Sequence, residues 1–153
     1  MQHLDFSPLA HATQEAAHKT LNDWIEAANE FSELSRSFLE DTAATLVKVS
    51  TPVATPEALA DTTGTALKAQ ASSTLRYGAA VAKLAIGQAQ RNVEAAHALS
   101  EKSAAHFKHS APSHAAALEA FHPVLKTSMA SADYIGKIVE RTASDWSKAL
   151  GQV

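Results

Sequence analysis

The chain has no cysteine, which excludes disulfides, thiolate nucleophiles and cysteine-ligated zinc, and is compatible with a reducing compartment. No stretch of its 153 residues approaches the ~18 consecutive apolar residues of a membrane span, so no transmembrane segment is expected. The first residues, Met1-Gln2-His3-Leu4-Asp5, lack a basic region followed by an apolar one, and no secretory signal is read there. A cytoplasmic protein is the expectation. Basic charge is also lacking. Thirteen Lys and Arg against sixteen Asp and Glu give a net charge of −3, and Lys68, Arg76, Lys83 and Arg91 are scattered, so no nucleic-acid partner is expected.

Catalytic motifs are missing as well. Gly64-Thr65 and Gly87-Gln88 are isolated and belong to no GxGxxG or GxxxxGK[ST] pattern, so nucleotide binding has no footing. No serine sits in a GxSxG turn. The eight histidines include the pairs His11/His18, His106/His109 and His114/His122, but no HExxH. They are read as solvated helical residues able to give association a modest pH response. Carboxylate pairs such as Glu26/Glu30 and Glu30/Glu33 fall on a charged helix face and are read as its solvation. No catalytic, cofactor-binding or metal-ligating residue is assigned, no cofactor is expected, and the chain is read as a non-enzyme.

What the chain does have is alanine. Apolar residues make up 46% of the sequence, yet alanine supplies much of that share from Leu59 to Phe107, and an alanine side chain buries little area at ~25 cal/mol per Å². A monomer of such helices gains little per ordered residue, so self-association is expected to make up part of the difference. The length fits one domain, 1–153.

Three helical segments are legible, at approximately 8–49, 56–109 and 114–150. Ser7-Pro8 is a start signal, with the hydroxyl as cap and proline in the first turn. Leu21, Trp24, Ile25, Phe31, Phe38, Leu39 and Leu46 then recur in steps of three, four and seven, opposite Asp23, Glu26, Glu30, Glu33, Arg36 and Glu40. That describes an amphipathic helix of about 40 residues, or ~60 Å. Pro52 and Pro56 interrupt it as a first hinge. Thr55-Pro56-Glu57 restarts the chain with Thr55 as N-cap. Asp61-Thr62-Thr63-Gly64-Thr65 has poor helix propensity and is expected to fray or bend. Gly78 and Gly87 allow either a close backbone approach or plain tolerance of small residues.

Pro112 marks the second hinge. Beyond it Leu118, Phe121, Leu125, Ile135, Val139, Trp146 and Leu150 recur at three-to-four spacing, closed by Gly151, with Pro123 expected to kink the helix. No alternating strand pattern occurs. The fold class is therefore all-α: long amphipathic helices separated by proline hinges, as a helical bundle or a coiled-coil oligomer.

The aromatic stripes admit two readings. One is helix–helix core, with Trp24, Phe31, Phe38, Phe121 and Trp146 filling a bundle or oligomer. The other is reversible adsorption with the apolar side down on a surface. Acid-rich polar faces suit a neutral surface better than an anionic bilayer.

The chain resembles the phasins, helical proteins that coat polyhydroxyalkanoate storage granules in bacteria. The resemblance covers about Leu21 to Leu150. It rests on Asn22-Asp23-Trp24-Ile25-Glu26 with Phe31 and Phe38, and on the hinge leading into Thr55-Pro56-Glu57-Ala58-Leu59. It continues through Ala82-Lys83-Leu84-Ala85-Ile86-Gly87-Gln88-Ala89-Gln90 and the helix around Ala132-Asp133-Tyr134. It implies a non-enzymatic coat that limits granule coalescence and sets granule size and number. Its partners are the granule surface, copies of itself as a homo-oligomer, and other granule-associated proteins. The end at Leu150-Gly151-Gln152-Val153 departs from phasins with basic DNA-binding tails. On this reading the stripes are buried in solution, and hinges near Pro52 and Pro112 let the helices splay onto polymer. The alternative is a soluble coiled-coil scaffold or adaptor that binds protein partners only.

Overall fold

The structure is a computed structural model and describes residues 5–151. Among the described residues it is all-α: α1 Ser7–Ser50, α2 Pro56–Phe107 and α3 Pro112–Gly151, with no strand. The breaks are short, residues 51–55 and 108–111. Of the three hinge prolines only Pro52 lies between helices. Pro56 and Pro112 are first residues of α2 and α3, where a missing N–H leaves no intrahelical bond unmade.

The start of α1 corrects the sequence reading, because Ser7 is not its cap. The Phe6 carbonyl accepts from Ala10 N–H at 2.9 Å, and the Asp5 carboxylate accepts from Ser7 N–H at 2.9 Å. Hydrogen bonds from Ser7, first its side chain and then its backbone, hold the Asp5 carboxyl below its ordinary value of 3.8, and His106 adds a smaller pull in the same sense. A depressed carboxyl pKa contributes stability that is present above the ordinary value and lost as pH falls through the lower folded value. Carboxyl NMR titration is expected to place the Asp5 midpoint below 3.8, and Ser7→Ala to raise it.

The start of α2 follows the sequence closely. Thr55 Oγ1 accepts from Ala58 N–H at 3.2 Å, and the Thr55 carbonyl accepts from Leu59 N–H at 3.0 Å. Residues 61–65 stay helical rather than fraying, and Thr62 Oγ1 donates to the Ala58 carbonyl at 2.7 Å. No neighbour approaches closely at Gly78 or Gly87, since an added Cβ meets nothing within 4 Å at either. Tolerance of a small residue is the reading that holds. Gly87→Ala is therefore expected to raise stability by about 0.5–1 kcal/mol, measured by thermal or denaturant unfolding.

Between α2 and α3 the turn is tight. Ala111 N–H donates to the Phe107 carbonyl at 2.8 Å, and the Ala111 carbonyl in turn accepts from Ala115 N–H at 3.2 Å. Pro123 lies inside α3 and does not mark its start. α3 runs on through Gly151, the last residue described.

The chain divides into two compact units, Met1–Ala27 with Ala85–Ile135, and Ala28–Leu84 with Gly136–Val153. In the first, the buried residues are Ala12, Ala27, Ala104 and Ala115, with Gln88 as the buried polar residue. Phe6, His106, Phe107 and His114 form a chain of ring contacts with centroids 5.3–6.5 Å apart. Lys102 Nζ meets Glu15 Oε2 at 3.5 Å, both exposed, a pair of little energetic weight.

In the second unit the buried residues are Ala66 and Ser73. The α1–α2 seam there is largely polar. Gln70 Nε2 donates to Thr42 Oγ1 (3.0 Å), Ser73 Oγ donates to Asp41 Oδ2 (3.0 Å), and Ser35 Oγ lies 3.1 Å from the Tyr77 hydroxyl. Tyr77 also stacks on Phe38, with centroids 4.7 Å apart and planes 20° apart. Lys83 Nζ joins Glu140 Oε1 at 2.6 Å, and the hydrogen bond to that carboxylate raises the Lys83 pKa above 10.5.

Candidate functional site

The residues that approach full burial are alanine, serine and glutamine, and no large side chain among the described residues is fully buried. This follows from the composition of α2. On an Ala-rich helix surface the positions that bury most deeply carry methyl, hydroxymethyl and amide side chains. Many of the bulky side chains stand outside, whereas Phe38 packs on Tyr77 between α1 and α2.

The stripe residues of the sequence reading divide accordingly. In the first unit Leu21, Trp24 and Ile25 of α1 are exposed, as are Phe121 and Ile135 of α3, while Leu118 and Leu125 are half-buried. In the second unit Phe31, Leu39 and Leu46 of α1 are exposed, as is Trp146 of α3, while Phe38, Val139 and Leu150 are half-buried. The expectation that Trp24, Phe31, Phe121 and Trp146 fill a bundle interior fails for this chain by itself. Trp24 is 53% exposed, Phe121 60% and Trp146 58%. Phe38 alone of the five is held by a specific partner, Tyr77.

Sequence spacing did not single out Val47, Val124, Tyr134 and Ile138, which are exposed alongside the stripes. Phe121 and Val124 are three apart and Leu21 and Ile25 four apart, so each pair shares one side of its helix. Single exposed apolar residues are ordinary, but repeated groups of this kind mark a surface that meets something apolar. Glu26, Glu30, Glu33, Arg36 and Glu40 are exposed on α1 and keep it wetted.

A second grouping arises in the first unit. His97 and Glu101 of α2 and His122 of α3 each offer a ligand atom, all within 4.8 Å of one another. His97 Nδ1 lies 3.7 Å from Glu101 Oε1, and the His97 and His122 rings are 4.8 Å apart at 39°. The sequence reading paired His122 with His114, but His114 contacts Phe107. His97 and Glu101 were missed. Their i,i+4 spacing is visible in the sequence, whereas the partner on α3 becomes apparent only through packing.

No family model, curated protein or solved structure matches the chain. Its functional reading therefore rests on its own surface. Among the described residues no helix is long and apolar enough to cross a membrane.

Proposed function

We propose that the chain is a non-enzymatic, phasin-like amphiphile that adsorbs to the surface of polyhydroxyalkanoate granules in the cytoplasm and limits their coalescence. The observation that carries this reading is the inversion of side-chain size. Small residues are buried while Trp24, Phe31, Phe121 and Trp146 face outward. A polyester presents apolar methylene and methyl groups with uncharged ester carbonyls, a surface that aromatic rings cover without charge complementarity. The acid-rich polar faces leave anionic bilayers a poorer match.

Adsorption on this reading needs no opening of the helices, because the rings already stand in solvent. Splaying at Pro52 and Pro112 is then not required to expose these four rings within a single chain. The deciding measurement is depletion of the purified chain from solution by polyhydroxybutyrate particles at physiological salt. Saturable uptake that survives a salt increase is the expected result. A protein-only scaffold would instead give a fixed oligomer by light scattering and no uptake.

A further inference from the structure

We propose that His97, Glu101 and His122 form a binding site for one divalent transition-metal ion of the zinc class, joining α2 to α3 within the first unit. The donor set is two imidazoles and one carboxylate. Magnesium and calcium favour all-oxygen shells, whereas imidazole with carboxylate suits zinc, cobalt, nickel and copper. Three protein ligands leave at least one position for water.

The placement favours convergence on a single ion. His97 and Glu101 are one turn apart on the same side of α2, and His122 reaches them from α3. In a zinc site with metal–ligand distances of ~2.0–2.2 Å, the ligand atoms stand roughly 3.3 Å apart, so the widest pair must close by about 1.5 Å. Glu101 is exposed, and its side chain can shift toward the two imidazoles.

One further observation supports the site. Ser100 Oγ lies 3.4 Å from both the Leu118 carbonyl oxygen and His122 Nε2. The hydroxyl has one proton. When it donates to the carbonyl, it accepts from His122 Nε2–H, and that tautomer leaves Nδ1 with a lone pair for a cation. Such outer contacts fix ring orientation in metal sites. The proposal is independent of polymer adsorption and would survive its failure.

The test titrates the full chain with zinc alone by calorimetry, and with cobalt(II) followed by visible absorption. One equivalent of zinc and a cobalt d–d band that zinc abolishes are expected. His97→Gln, His122→Gln and Glu101→Gln should each weaken binding by about 10-fold or more, whereas His11→Gln and His109→Gln should leave it unchanged. Glu101→Gln is read even if a histidine variant loses helicity by circular dichroism, because Glu101 is exposed. Absence of one-equivalent zinc uptake by the natural chain overturns the site. So does unchanged affinity in Glu101→Gln, or binding that follows His11 and His109.

Discussion

Replacing Trp24, Phe31, Phe121 and Trp146 together by glutamine is expected to reduce adsorption to polyhydroxybutyrate particles by about a hundred- to a thousand-fold. Burying a whole large apolar side chain is worth roughly 1.5–3 kcal/mol. These four rings keep from 46% to 60% of their surface in water, so each has about 1 kcal/mol left to gain on contact. Four such terms approach 4 kcal/mol, and each ~1.4 kcal/mol is tenfold in affinity. Glutamine retains helix propensity and a methylene stem, so helical content by circular dichroism should be kept. Phe38 is left out of the set because its stack on Tyr77 would confound adsorption with folding. Unchanged uptake by a folded quadruple variant would falsify the assignment of these rings as anchors.

Ala104→Leu is expected to destabilise the chain by about 1–3 kcal/mol while leaving adsorption per folded molecule intact. Ala104 is 3% exposed, and the first unit closes on alanines at 12, 27, 104 and 115. Three added heavy atoms cannot be placed there without pushing a helix outward or forcing a rotamer. The same substitution at exposed Ala105, the next position, should fall within about 0.5 kcal/mol of the natural chain. Denaturant unfolding of the two variants side by side measures the difference. If Ala104→Leu stabilises, large side chains do fit the interior, and the size inversion loses its explanation.

Helix existence and type were legible in the sequence because proline and threonine punctuate it plainly. Thr55-Pro56 specifies a cap and a first turn through local chemistry alone, and the structure uses both. At Ser7-Pro8 the serine hydroxyl was the expected cap, but the Asp5 carboxylate takes the Ser7 N–H. Asp5 prevails because its carboxylate is charged and meets the positive helix end. The interior was not legible in the same way. Periodicity marks which side of α1 is apolar, but not whether its neighbour offers a hole for an indole or a flat row of methyls. Trp24 and Phe31 stay about half exposed, whereas Phe38 finds the Tyr77 ring of α2. The grouping of His97 with His122 lay beyond sequence reading for a related reason, since twenty-four intervening residues and a turn must be placed before the two rings meet.

The polar seam of the second unit bears on how stability varies with temperature. The pairs Thr42–Gln70, Asp41–Ser73 and Ser35–Tyr77 can exchange their hydrogen bonds for water when the helices part, and beside the Phe38–Tyr77 stack they add newly wetted polar surface. Newly wetted hydrocarbon is what raises heat capacity on unfolding, whereas newly wetted polar surface lowers it. A seam built this way has a smaller heat-capacity increment than a wholly apolar one of the same area, and hence a shallower stability curve. Warming and cooling change its strength gently, a property that fits the proposed role as a coat on a phase that grows and shrinks.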